Sequence, residues 1–409
     1  MSTAVHRCAD AIILPRSIPR QNRVLFSRLR QERGNRLLHL ADRYLGIPLV
    51  FLLGALRRRR AAPDSLGSVG LLKTGAIGDL VLLSATVADL RALFPAARLV
   101  LFVSGTNRGI AGLIKGVDRI VTLPITRPLA AIRAVREEPL DALLDFGPWP
   151  RFDALMTVLS RARFTAGFAT DGQYRHFAYD AVVAHSQLHH ELENYRALAA
   201  TLGVPGVADP RLVAPDHCAW STPRGGYMVF HPWPGGSQAA SKRWPACRWV
   251  ELAQRLERQS DCIFFTGGPG DVVATQAMLS DLRAAGVASV ESVAGKLGLE
   301  DTAALLAQAE LVVSVDTGTA HMAAALGAPL VALFGPTRVE RWRPIGPQVT
   351  VVRAADPRCG YISLGFETPP VGVDCMDGVS VDAVEAACRS RFDAAAPAPS
   401  LNGNQAGPR

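Results

Sequence analysis

Three segments of this chain carry residues whose types and spacing suit chemistry on a phosphorylated substrate. The first is ELVVSVDTGTAHMAAALGAPLVALFGPT, residues 310–337, which presents Asp316, Thr317 and Gly318 with His321 one turn further on. Residues 311–315 are an apolar, β-branched run of strand length. Asp316 and Thr317 are residue types that start helices. Residues 320–326 hold no acid or base but His321, so this short helix should be buried. Gly327 stops it and Pro329 follows, and 330–334 reads as a second buried strand. A small-residue turn at a helix N-terminus aims free N–H groups and a positive partial charge at one point, which suits a phosphate. An ordinary capped crossover has the same spacing, so the pattern alone does not decide. The second segment is VGLLKTGAIGDLVLLSATVADLRALFP, residues 69–95: a strand, a turn containing Gly75 and Gly78, and a helix opened by Asp79. That carboxylate can cap the helix or accept a proton at its mouth. The third, HPWPGGSQAASKRWPACRW from 231, sets Lys242 and Arg243 just before a helix and behind Gly235, Gly236 and Ser237. These residues offer a cation and donors to an anion, or form a plain surface turn beside two solvated bases.

Together these segments resemble glycosyltransferase family 9, which includes the lipopolysaccharide heptosyltransferases. That family shows a Lys-x-Gly-x-x-Gly-Asp-like turn near its start. Near its end it shows an Asp-Thr/Ser-Gly-x-x-His-x-x-Ala-Ala-x-Gly-x-Pro block. Both stand here, from Lys73 to Asp79 and from Asp316 to Pro329, and the resemblance runs over roughly 66–391. It implies an inverting transfer of a sugar, heptose from ADP-heptose for example, from a nucleotide donor to lipopolysaccharide or another cell-surface glycan. Asp79 takes the place of the general base. Lys242 takes that of the lysine on the donor phosphates, with Arg243 as its substitute, and Gly236 and Ser237 offer further donors. Thr317 and Gly318 bind diphosphate through backbone N–H groups. Asp316 either caps its helix or takes donor-sugar hydroxyls. His321 is expected beside the donor as a packed, hydrogen-bonded histidine without a catalytic part. FFTGGPGD (264–271) and AGKLGL (294–299) resemble family loops around ribose and base. There Asp271 accepts ribose hydroxyls, and Lys296 and Leu297 flank the base. Where the family often has Pro, this chain has Ser84-Ala85, which leaves acceptor selection open. No Asp-x-Asp motif is present, so the transfer is expected to need neither metal nor cofactor, with Lys242 and a helix N-terminus in place of the cation.

The elements that must position these residues alternate. Strands are expected at 69–73, 99–103, 120–123 and 142–146, with helices at 79–94, 108–114, 129–137, 152–160 and 188–202 and short strands and turns over 163–180. A second series has strands at 227–231, 262–266, 311–315, 330–334 and 349–352 and helices at 245–258, 271–284, 302–308, 320–326 and 380–392. Alternation of this kind predicts an α/β protein with doubly wound parallel sheets. Two such sheets facing across a cleft form the GT-B architecture that the resemblance implies. Ligands of these sheets lie outside the strands' carboxyl ends, which puts Gly75, Gly78 and Gly318 at the cleft. The division is an extension (1–66), an acceptor domain (67–210), a linker (211–224), a donor domain (225–393) and a disordered tail (394–409). A Rossmann oxidoreductase and a non-catalytic nucleotide-sugar-binding protein are the competing readings. The first lacks its G-x-G-x-x-G fingerprint. Against the second stands the joint presence of Asp79 and Lys242.

The 409 residues carry a net charge of +8, but residues 1–66 alone hold thirteen Arg against Asp10, Glu32, Asp42 and Asp64. The remainder is almost neutral, which argues against a nucleic-acid partner. Residues 44–56, YLGIPLVFLLGAL, are uncharged and end at four consecutive Arg. As a helix they run about 20 Å, too short for a hydrocarbon core of about 30 Å. An apolar helix between Arg clusters suits the plane of an anionic membrane surface; packing on the body is the alternative. Seven scattered Cys without C-x-x-C spacing suit a reducing cytosol and no zinc site. That compartment argues against pairing of Cys359 with Cys375. No signal peptide is evident. The expected location is the cytoplasm, with the extension as a candidate attachment to the inner face of the cytoplasmic membrane.

Overall fold

In the computed structural model, described residues are 40 and 42–395, apart from 217, 219, 224, 225, 237 and 366. The readings of Ser237, of most of the Arg-rich segment from 16 to 43, and of the tail beyond 395 lie outside these residues.

Runs of Val, Leu, Ile and Phe without a polar face form strands buried on both sides, as parallel sheets covered by helices require. The first sheet holds β1 (Ser68–Lys73), β2 (Arg98–Val103), β3 (Arg119–Thr122), β4 (Ala142–Asp145), β5 (Phe164–Ala169) and β6 (Ala181–Ala184). Its order is β3-β2-β1-β4-β5-β6 and every pairing is parallel, with Val69 beside both Leu99 and Ala142. The second sheet holds β7 (Tyr227–His231), β8 (Cys262–Phe265), β9 (Val290–Ser292), β10 (Leu311–Val315), β11 (Leu330–Phe334) and β12 (Val349–Arg353). Its order, β12-β11-β10-β7-β8-β9, is again parallel throughout. Counted from its own first strand, each sheet reads 3-2-1-4-5-6. The direction of winding therefore reverses beside β1 in one sheet and beside β7 in the other, and such reversals open the crevice where ligands sit.

Helices cover both faces. In chain order they are α1 (Gly46–Ala55), α2 (Ile77–Leu93), α3 (Arg108–Ala111), α4 (Pro128–Arg136), α5 (Arg151–Val158) and α6 (Glu191–Ala199). The second half adds α7 (Ala246–Leu256), α8 (Val272–Ala284), α9 (Leu299–Ala307), α10 (Gly318–Ala325), α11 (Val339–Trp342) and α12 (Val381–Ala395). On α7, Trp249, Leu252, Ala253 and Leu256 form the buried face, and Trp249 lies between the rings of Phe230 and Trp244. Helix α10 is buried from Ala320 to Ala325, and its small side chains let the sheet and α2 approach its backbone. β9 has only three residues and lies beyond reach of a pattern that needs several alternations.

α1 packs on α5 and the short turn Arg175–Ala178. A Cβ on Gly46 would lie 2.9 Å from Arg151 Cβ, and one on Gly54 would collide with the Phe177 carbonyl. Arg57 and Arg60 then reach the buried Asp180 at 2.8 and 3.0 Å. The alternative of a packed helix is therefore realised for this inner face.

The compartment-based argument against a disulfide is overturned. Cys359 and Cys375 are bonded, with Cα atoms 5.6 Å apart, inside the range a disulfide needs. Compartment constrains redox chemistry and says nothing about which loops meet. Here the bonded loop lies over the end of β11: Gly360 N–H donates to Gly335 O at 3.1 Å and Ile362 N–H to Pro336 O at 2.8 Å.

Candidate active site at the meeting of two helix starts

At the carboxyl end of β1 the chain turns into α2. Lys73, the last residue of the strand, is buried, and a buried ammonium must be paired and hydrogen-bonded. Its Nζ donates to Phe146 O at 3.0 Å, stands 3.2 Å from Asp79 Oδ2 and lies 5.1 Å from the centre of the Tyr195 ring. Asn107 fixes the turn from beneath, donating to Lys73 O at 3.0 Å and Gly75 O at 2.8 Å. Thr74 Oγ1 donates to the buried Asp153 at 2.8 Å. Burial pushes the Asp153 carboxyl up to about 7, and the nearby charge of Asp145 adds to the rise. The N-cap of α2 is Ala76, so the capping reading of Asp79 is corrected: it lies in the first turn, paired to Lys73 and still 19% exposed. A Cβ on Gly75 would meet Asp79 Oδ2 at an ordinary 3.5 Å, so space does not force glycine there.

At the carboxyl end of β10 the roles are divided differently. Thr317 is the N-cap, its Oγ1 accepting from Thr319 N–H at 3.0 Å. Of the two readings of Asp316, capping is therefore ruled out. Its Oδ2 accepts from Lys242 Nζ at 2.7 Å and from Thr337 Oγ1 at 2.7 Å. Lys242 ends a short turn, Ala239–Lys242, whose exit is anchored by the buried Trp244 indole donating to Val379 O at 2.8 Å. His231, at the end of β7, bridges Thr266 Oγ1 at 2.8 Å and Thr319 Oγ1 at 3.2 Å, tying the first turn of α10 to the sheet. Burial pushes its imidazole down to about 4.

The two helix starts touch. A Cβ on Gly78 would lie 2.8 Å from His321 Cδ2, and one on Gly318 would lie 2.7 Å from Ile77 Cγ2 and 3.2 Å from Gly78 N. Each glycine is thus required by the backbone or side chain of the opposite half. His321 is buried, which pushes it down to about 4; Asp316 and Asp79 draw it up, while His190 and Lys242 draw it further down. The ring thus belongs to the second helix start and packs on Gly78 of the first. It is packed as expected, but its Nδ1 has no hydrogen-bond partner among the described residues. Nearby, Arg341 of α11 is buried and donates to Glu191 at 2.6 Å and to Ser186 O at 2.6 Å, joining the second half to the first.

The remaining predicted residues lie along the same sheet edge. Gly236 has φ +93°, with open space around it. Arg243 lies over the Trp233 ring at 5.9 Å. Asp271 is the N-cap residue of α8, but its side chain makes no capping bond; its Oδ2 accepts from Gly268 N–H at 2.8 Å within its own loop. Burial raises the Asp271 carboxyl, against the pull of Arg243. Lys296 Nζ stands 4.7 Å over Trp220, from the segment that connects the two halves, and Leu297 is half-buried against the core. Asp79, Lys242, Asp316, Thr317, Gly318 and His321 are brought together with Gly78. Asp271, Lys296 and Leu297 follow β8 and β9, further along. Sequence reasoning missed the parts of Lys73, His231 and Thr337. Lys73 stood inside a recognised motif; Thr337 carried no signal beyond a hydroxyl after a strand.

Chemically, one of the two touching helix starts carries a carboxylate held by a buried ammonium, and the other follows a carboxylate that holds a second ammonium. Such a pair of surfaces can take a proton from a hydroxyl on one side and receive a departing anion on the other.

The family described as glycosyltransferase family 9 (heptosyltransferase) matches residues 129–361, more than half of the chain. The lipopolysaccharide heptosyltransferase 2 of Salmonella typhimurium is 33% identical over 120 residues, which is 29% of this chain and 34% of that protein. For it and similar relatives the matched stretch spans about a third of their length. The lipopolysaccharide heptosyltransferase 1 of Escherichia coli (strain K12) is 28% identical over 320 residues, 73% of this chain and 96% of that protein. The solved structure of E. coli ADP-heptose lps heptosyltransferase II has a TM-score of 0.67 at 20% identity. The alignment covers 80% of this chain and 100% of that one, a likeness of fold.

Proposed function

From the premise that this chain belongs to glycosyltransferase family 9, the heptosyltransferase family, we propose that it transfers a sugar from a nucleotide donor to a glycan acceptor with inversion. The observation that carries the proposal is the contact of the two helix starts, Gly78 against His321 and Gly318 against Ile77, with the Asp79–Lys73 pair following one strand and the Asp316–Lys242 pair following the other. In this reading the acceptor hydroxyl lies against Asp79, which removes its proton as the bond to the anomeric carbon forms. The diphosphate leaves from the opposite face of that carbon, so a single displacement inverts it. Lys242 and the N–H groups at the start of α10 receive the growing charge. Lys242 then exchanges part of its contact with Asp316 for a phosphate oxygen. These groups replace a metal ion, and EDTA should leave turnover intact; loss of activity restored by Mg²⁺ would contradict this part.

ADP-heptose is the donor proposed, since the structure similar in fold at 20% identity is named for it. The acceptor proposed is lipopolysaccharide or another lipid-linked or cell-surface glycan, by analogy with the named relatives. Asp271 is assigned to the ribose and the loop of Lys296 and Leu297 to the base. The enzyme would work in the cytoplasm, at the inner face of the cytoplasmic membrane. A panel of nucleotides and nucleotide sugars in thermal melting tests the reading, because a ligand that binds the native state raises the midpoint. ADP and ADP-heptose should stabilise the protein. A shift with NAD(P) and none with any nucleotide sugar would overturn the proposal.

A further inference from the structure

Helix α1 has two apolar faces and only one of them is covered. Gly46, Val50 and Gly54, spaced by four, face the body; Val50 is fully buried. Leu45, Leu49, Leu52 and Leu56 recur at helical spacing on the other side and all four are exposed, Leu56 to 78%, while Phe51, also exposed, rests its ring edge on Phe177. A surface helix ordinarily turns charged or polar residues outward, yet residues 46–56 contain none that is charged. Among the described residues, seven of the sixteen exposed large hydrophobic side chains fall between Leu40 and Leu56, which makes this a contiguous patch rather than scattered exposure.

We propose that this outer face of α1 seats the protein on an anionic lipid bilayer, in the plane of the surface. Charge selects this occupant. Arg57 and Arg60 are engaged by Asp180, but Arg43, Arg58 and Arg59 are exposed at the two ends of the patch and make no ion pair among the described residues. Residues 1–39 add eight Arg against two acids. A second copy of the chain docked on the same face would bring these like charges together, whereas anionic headgroups neutralise them. Ten helical residues reach about 15 Å, half of a hydrocarbon core of about 30 Å. Among the described residues no helix is long and apolar enough to cross a membrane. With its inner face taken by α5 and Phe177, α1 can immerse only the Leu stripe, as interfacial helices do. The inference deepens the proposal of a lipid-linked acceptor, and it names the face that would bring the protein to it.

The test uses the full chain and sedimentation with vesicles, so it needs no turnover and no donor and can fail separately from the enzymatic reading. One vesicle set contains phosphatidylglycerol with phosphatidylcholine, the other phosphatidylcholine alone. The protein should pellet with the first and stay in solution with the second, and binding should weaken as salt rises. Leu49→Glu with Leu52→Glu should lower partitioning at least about tenfold, with an unchanged melting midpoint by circular dichroism. Arg58→Gln with Arg59→Gln, away from the apolar stripe, should weaken binding less and flatten its salt dependence. Parent protein left in solution with both vesicle sets would overturn the proposal. So would a Leu double variant that pellets like the parent, or a parent that is dimeric where this variant is monomeric.

Discussion

After β1 the chain enters α2 around Gly75 and Gly78; after β10 it enters α10 around Thr317 and Gly318. In the first turn the carboxylate of Asp79 finds its ammonium six positions back, on a lysine buried at the end of the preceding strand. In the second, Asp316 is answered by Lys242, 74 positions away at the end of a loop that contains Gly235 and Gly236. One carboxylate is held by the fold itself. The other is held by a loop whose backbone at Gly236 adopts a conformation that side chains disfavour. In the proposed reaction, proton removal needs a fixed base and a departing diphosphate needs a partner able to change its contact, and the two turns would divide these requirements between them.

The largest expected effect falls on the fixed half. Asp79→Asn should lower the rate of transfer about 10²–10⁴-fold, the usual cost of losing a general base, while nucleoside diphosphate binding measured by calorimetry stays near that of the parent. If Asp79 serves only to neutralise Lys73, the same variant would melt earlier and turn over normally, and the comparison would collapse.

On the exchangeable half, Lys242→Ala should weaken donor and nucleoside diphosphate alike, roughly tenfold to a hundredfold for a charge-assisted contact of about 1.5–3 kcal/mol. Thr337→Val, which acts through Asp316, should cost about 1 kcal/mol or less. Equal losses in the two variants would mean that Lys242 matters only as a structural partner of Asp316.

A smaller effect separates the glycines. Gly318→Ala puts a methyl group against Ile77 and the Gly78 nitrogen and should destabilise by about 1–3 kcal/mol in denaturant titration. Gly75→Ala meets ordinary contacts and should stay within about 0.5 kcal/mol. The reverse ranking would show that the contact between halves is looser than its geometry indicates.

The smallest effect vanishes at neutral pH. His231 and His321 are held near 4, below the usual value of about 6.5 for an unfolded histidine. The unfolded chain therefore binds protons first as pH falls. Stability is complete above about 6.5 and is lost progressively toward 4. His321→Gln should flatten that slope in melting experiments, and a slope identical to the parent's would place the titration elsewhere.

Much of this was legible without coordinates, for a physical reason. Strands buried on both faces must be β-branched or aliphatic runs, and turns that admit a backbone must be glycine-bearing, so 69–79 and 311–318 announce themselves. Pairing across the chain does not. Nothing near Lys242 names Asp316 as its partner, and nothing near Gly78 says that a histidine ring from the other sheet presses on it. The start of α2 was misjudged because Ala76, an atypical N-cap, precedes it while Asp79, a typical one, lies inside it. The Cys359–Cys375 bond was missed because the approach of two loops depends on where β11 and β12 end, which local pattern does not record.

The contact of Gly78 with His321 and of Gly318 with Ile77 bears on how such a protein can be recombined. Residues 77, 78, 318 and 321 form a fitted joint whose two parts are encoded far apart. A chimera that joins the first half of this chain to the second half of a relative keeps its two active-site surfaces in register only if the incoming half brings the matching small residue and ring. Otherwise an intact domain from each parent would meet a misfitting neighbour, and the failure would appear as a displaced Asp79 rather than as an unfolded protein. These four positions make a compatibility key to compare before any crossover point is chosen.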